Sequence, residues 1–298
     1  MRRLGVFLLA VTLPACSIKK MAVNSLGNAL AEGGATYASD DDPDLVAGAI
    51  PFGLKTVEGL LEESPRHKGL LFAAASGFTQ YAYAFVQQEA DFVEARDLPG
   101  ATHLRNRARK LYLRALDYGL RGLEVDLPGF RQRLRADPAS ALSQTRREHV
   151  RLLYWTAAAW GSAIGISKND SELTADQDLA EALMRRALAL DESWEYGSAH
   201  DFFIAYEGGR SSVGGSLAKA RGHLDRALAL SKGHRAWPLV SFAETVSVAS
   251  QDRKEFEDML RRALAVNPDE VKALRLTNLV AQRRARWLLG RADEMFIE

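Results

Sequence analysis

The segment Arg186-Ala187-Leu188-Ala189-Leu190-Asp191 returns 40 residues later as Arg226-Ala227-Leu228-Ala229-Leu230-Ser231. After a further 36 residues it appears again, as Arg262-Ala263-Leu264-Ala265-Val266-Asn267. A weaker relative, Arg114-Ala115-Leu116, precedes all three. Self-similarity at this spacing marks units stacked on one another, each unable to hide its apolar face alone. Read as the end of the second helix of a hairpin, each copy has alanine where helices approach closely and leucine where the groove is filled. The pattern predicts an all-α chain of stacked helix hairpins of the tetratricopeptide kind, a divergent α-solenoid of about a dozen helices. An irregular helical bundle is the alternative.

The rest of the chain carries the same periodicity. Apolar residues recur at spacings of three and four, and no stretch alternates as a strand does. Asp42-Pro43 and Ser64-Pro65 each read as a capping side chain before a proline that opens a helix. Ile50-Pro51 predicts a kink or split in the helix that begins near Pro43. Glu207-Gly208-Gly209 and Gly214-Gly215 bracket a loop, and Asn267-Pro268 separates two helices. On the segment from Asp176 to Leu190, Leu179, Leu183, Ala187 and Leu190 share one face, with Glu181 and Arg185 paired on another.

At the amino end, Met1-Arg2-Arg3 is basic and Leu4 to Leu13 is almost wholly apolar. Leu13-Pro14-Ala15 then leads into Cys16, the only cysteine. That order is the layout of a secretion leader, and a cysteine at the cut point predicts lipidation of a bacterial lipoprotein. Residues 1–15 are read as signal peptide and 16–298 as one helical domain carrying the anchor. The apolar run is too short to cross a bilayer of about 30 Å as a helix. With its one thiol acylated, the mature chain has no disulfide and no thiolate metal site. Ser17 is not the aspartate that commonly retains such proteins at the inner membrane, so the expected address is the periplasmic face of the outer membrane.

Lysine and arginine number 39 against 38 aspartates and glutamates, a balance that gives no electrostatic case for nucleic acid. The basic groups Arg105, Arg107, Arg109, Lys110 and Arg283, Arg284, Arg286 read as solvated helix faces. The histidines His67, His103, His149, His200, His223 and His234 include no pair four apart, the commonest zinc spacing on a helix. Asp40-Asp41-Asp42 lacks the glycine and distal glutamate of a calcium loop and reads as helix capping. The glycines from 208 to 215 lack the lysine of a phosphate loop, and no serine sits in a nucleophile elbow. No cofactor, metal or catalytic residue is expected, and the chain reads as a non-enzyme.

Aromatic residues are more suggestive. Tyr81, Tyr83 and Phe85 fall in an alanine-rich stretch, and Tyr154, Trp155 and Trp160 on one helix. Trp194, Tyr196, Phe202, Phe203 and Tyr206 follow. Core filling is their ordinary use. The other use is a ring-lined surface for a partner segment or apolar ligand, for which Tyr154, Trp155, Trp160, Trp194, Tyr196, His200 and Phe203 are the candidates.

Several ordered fragments carry a resemblance. They are Leu111-Tyr112 with Arg114-Ala115, Tyr118-Gly119-Leu120, Tyr154-Trp155 with Trp160-Gly161, and Ala199-His200-Asp201-Phe202. Gly214-Gly215, Gln251-Asp252-Arg253, Arg275-Leu276-Thr277-Asn278, Arg284-Ala285 and Phe296 complete the set. In these the chain resembles the TatT family, the helical-repeat lipoprotein component of some TRAP transporters. The resemblance implies tetratricopeptide-like hairpins and a non-catalytic role beside a periplasmic solute-binding protein, with docking of that protein and help in ligand transfer. Membership of a homo-oligomer is compatible with it. Asp252, Arg253, Arg275 and Asn278 are expected to form one buried polar network between the last helices. A general envelope scaffold for outer-membrane or cell-wall assembly is the alternative function, and a direct ligand binder a third.

Overall fold

The computed structural model describes residues 24–29, 34–210 and 214–297; the leader and Cys16 lie outside them. The described chain is 80% helical with no strand. After a short helix, Gly34–Ala38, the first long element is α1, Pro43–Glu63, opened by Asp42. The Asp42 carboxylate accepts from the Asp44 and Leu45 amides, satisfying two donors that the helix leaves open. Pro51 lies inside α1, which continues unbroken, so the expected split at Ile50-Pro51 does not occur. Ser64-Pro65 does not open the next helix either. Ser64 closes α1, and the following helix starts at Lys68, capped by the His67 ring, whose Nδ1 accepts from the Leu70 amide.

That helix, α2, runs from Lys68–Tyr81 through a π-helical turn, Ala82–Gln87, into Gln88–Val93. Next come α3, Leu98–Asp126; α4, Val150–Gly165; α5, Gln177–Leu190; α6, Ala199–Gly208; and α7, Leu217–Leu230. The helix α8 combines Trp237–Phe242 with a second π-helical turn, Ala243–Ser247. Last are α9, Arg253–Ala265, and α10, Arg275–Leu289.

Each helix packs on the next, with α2–α3, α3–α4 and α4–α5 the most extensive contacts. The first members of successive pairs also touch, α2 with α4, α6 with α8, and α8 with α10. The repeated segment falls where the sequence puts it, closing α5, α7 and α9. The first alanine of each copy, Ala187, Ala227 and Ala263, is buried, whereas the second, Ala189, Ala229 and Ala265, is exposed. In the first two copies its arginine reaches back to the preceding unit. Arg186 donates to the Thr145 carbonyl at 2.7 Å, and Arg226 forks onto Glu192 at 2.5 and 2.7 Å.

Close approach is built in between α3 and α4. A Cβ on Gly119 would stand 2.2 Å from the Thr156 hydroxyl, and one on Gly122 would stand 2.8 Å from Leu152. Two contiguous apolar cores fill the stack. One runs from Leu54 to Phe203 and the other from Ile204 to Ala292, so they meet on α6.

The stack does not stay open. The end of α2 meets α8 and α10, with Tyr83 edge-on to Trp237 at 5.1 Å and Phe92 tilted against Trp287 at 5.4 Å. At the other end of α10, Arg275 donates to the Ser39 carbonyl at 3.2 Å. Among the described residues, the segment from Ser39 through α2 and the segment from α8 to α10 therefore close on each other.

Candidate functional site: a closed aromatic interior

Of the residues singled out for a binding surface, Trp160, His200 and Phe203 are buried in the packed core. Tyr154, Trp155 and Trp194 are half-buried, and both tryptophans meet the tyrosine. The Tyr154 ring lies 5.0 Å from Trp155 and 4.6 Å from Trp194. Tyr196 is exposed. The seven thus divide between core packing and a small aromatic cluster at the entrance to α6, and they form no continuous surface.

The turn carrying Trp194 is unusual. Glu195, Tyr196 and Gly197 all have positive φ, of 47°, 58° and 79°. Left-handed geometry costs a side-chain-bearing residue about 1–2 kcal/mol, so two such residues in a row must be over-determined by their surroundings. A Cβ on Gly197 would stand 2.7 Å from Leu230, so glycine serves the packing there as well as the conformation. Immediately after the turn, Asp201 and Arg235 form an ion pair buried on both sides. Burial pushes the Asp201 carboxyl up, and Arg235 opposes that shift.

Beside this pair, Nδ1 of His200 lies 2.8 Å from Nδ1 of His223 on α7. At that separation one nitrogen holds a hydrogen and the other accepts it. Nε2 of His200 is 3.3 Å from Glu192. Phe203 stacks on the His223 ring at 5.0 Å. A hydrogen bond from Arg226 holds the Glu192 carboxyl down at about 2. Burial holds His223 down at about 4.

A second polar cluster joins α2 to α8 and α10. Arg284 is buried on α10, pairs with Glu244 in the π turn of α8, and reaches Asp91 of α2 at 2.9 Å. Asp91 also receives Arg105 at 3.0 Å. Burial opposes the charge on Arg284, yet Glu244, Tyr83 and Asp91 together raise its affinity for the proton. Arg284 is therefore not part of a solvated face, although its neighbours Arg283 and Arg286 are exposed. Sequence reasoning missed this cluster, His223 and the Asp201–Arg235 pair. The only signal was an arginine at an apolar position of the α10 pattern, between Ala281 and Leu288.

Asp252, Arg253, Arg275 and Asn278 are held in separate interactions and not in one network. Asp252 caps α9 by accepting from the Glu255 amide. Arg253 is exposed and pairs with Glu257 and Asp293. Arg275 pairs with Asp269 at 2.7 Å. Asn278 alone is deeply buried, accepting from the Ala236 amide and donating to the His234 carbonyl.

Among the described residues no three His, Cys, Asp or Glu side chains are placed to hold a metal ion, and no helix is long and apolar enough to cross a membrane. Paired helices that close on a core of rings and sealed ion pairs define an all-α protein. Residues 39–296 match the family described as TAtT: TRAP transporter T-component. The chain belongs to that family. It is also 30% identical over 302 residues to an uncharacterized protein of Treponema pallidum (strain Nichols), covering 95% of this chain and 94% of that one.

Proposed function

We propose that this chain is a lipid-anchored periplasmic accessory of a TRAP transporter that docks the solute-binding protein and assists ligand transfer without catalysing a reaction. The observation that carries the proposal is the family match over residues 39–296, which associates the chain with such a transporter. In this reading the successive helix pairs are a divergent tetratricopeptide-type stack, a scaffold suited to holding a partner. The two titratable clusters in the interior are spoken for. Arg284 and Arg235 are each neutralised by carboxylates.

The anchor in this proposal is Cys16, with residues 1–15 removed and the acyl chains held at the periplasmic face of the outer membrane. Multiple chains hold a protein durably where one does so only marginally. Two measurements test the reading. A tagged mature protein should co-purify from cells with the solute-binding protein encoded beside it. Isolation without that protein, or a gene neighbourhood lacking both receptor and permease, contradicts it. Cys16→Ser should release the chain from the membrane fraction, and an unchanged partition and mass would count against the anchor.

A further inference from the structure

The outer face of α1 is exposed and apolar. Val46, Leu54, Val57 and Leu61 turn inward, whereas Leu45 is 62% exposed and Phe52 80% exposed. Ala49 and Thr56 fall on the same side of the helix as these two by helical spacing. Tyr37, also exposed, folds back beside Gly53. Among the described residues α1 is the first long helix and packs chiefly on α2, which puts it at the start of the described stack. Terminal units of stacked repeats ordinarily present a polar outer face. This one does not.

Charge decides what covers it. Residues 40–63 contain seven acids, Asp40, Asp41, Asp42, Asp44, Glu58, Glu62 and Glu63, and a single base, Lys55. Asp40, Asp41, Asp42 and Asp44 stand at one end of the apolar strip and Glu62 and Glu63 at the other, while Glu58 turns inward onto Tyr118, Lys55 and Arg114. Arg275, 3.7 Å from Asp41, is the cation that approaches the first group from elsewhere in the fold. A second copy laid along α1 sets acid against acid in either direction. An anionic bilayer is repelled by the same charges.

We infer that the outer face of α1 is the docking surface for a protein segment with an apolar centre and lysine or arginine at its ends, carried by the solute-binding protein. The inference rests on the function proposed above. It places recognition outside the closed interior, whose aromatic residues are packed on one another.

The test measures binding of the purified chain to the solute-binding protein encoded beside it, by calorimetry at low and high salt. Phe52→Asp should weaken binding roughly tenfold or more, as removal of a central apolar anchor does. Asp44→Lys combined with Glu62→Lys should weaken it at low salt and remove the salt dependence. Both variants should melt with the wild type, since these side chains face solvent. Unaltered affinity in both overturns the inference while leaving the transporter role intact. It is equally overturned if Phe52→Asp abolishes a dimer of this chain, or abolishes flotation with phosphatidylethanolamine–phosphatidylglycerol vesicles. A wild-type chain that does not bind the receptor removes the transporter role itself, and the docking surface with it.

Discussion

Arg284 and Asp91 stand 193 positions apart in the chain, and their guanidinium and carboxylate meet at 2.9 Å. This contact, with Glu244 on the other side of the guanidinium, joins the end of α2 to α8 and α10. Replacing one member of a buried ion network strands the others without a partner. Arg284→Met should therefore cost about 3 kcal/mol, read as a lower urea midpoint. Its neighbour Arg283 makes an exposed pair with Glu89 at 3.2 Å, and Arg283→Met should cost under about 1 kcal/mol.

Stability should fall on mild acidification because of His200 and His223. Burial lowers His223 from 6.5 to about 4, with His200, Arg185 and Lys219 adding to the shift. Burial also lowers His200, although Glu192 pulls the other way. Both folded values lie below the unfolded value, so the unfolded chain takes up protons that the native state refuses. The loss begins as pH falls below about 6.5 and continues toward about 4, and this pair has no effect above that window. His223→Gln should flatten the dependence, measured as urea midpoints at about pH 7 and about pH 5. An unchanged slope would remove His223 as its source.

Core packing and surface pairing should separate cleanly on α5. Leu183 is wholly buried, and Leu183→Ala should cost about 2–5 kcal/mol. Arg185 pairs with Glu181 one turn away on an exposed face, and Arg185→Ala should cost under about 1 kcal/mol. Thermal and urea unfolding of the two variants compare the magnitudes directly.

Gly119 tests the close contact between α3 and α4. A methyl group there meets Thr156, whose hydroxyl is already bonded to the Leu152 carbonyl. Gly119→Ala gains helix propensity and still should destabilise by about 1–3 kcal/mol through overpacking. A variant as stable as the wild type would mean that the two helices move apart without cost.

What the sequence made legible follows the range of the interactions involved. Helical class and the ends of α5, α7 and α9 come from spacings of three, four and about forty residues, all printed along the chain. Pro51 does not split α1 because a proline inside a helix removes one donor, and packing of Val46, Leu54, Val57 and Leu61 on α2 outweighs that loss. At Ser64-Pro65 the serine closes one helix while a histidine opens the next, a choice that side-chain type alone does not make. Closure was not legible at all. It pairs Asp91 with Arg284 and Tyr83 with Trp237 across more than half the chain, and Arg284 was hidden among exposed arginines. The same nonlocality scattered the expected binding residues, since Trp160 and Phe203 went to the core.

If the closed helical stack meets the solute-binding protein on its outside, as proposed, that contact should leave a footprint on α1. Hydrogen–deuterium exchange of the chain, alone and with the solute-binding protein, addresses it most directly. Slower exchange on binding is predicted across residues 43–63, with no change across residues 150–165 and 199–208. Protection of those inner helices, with none on the first, would contradict it.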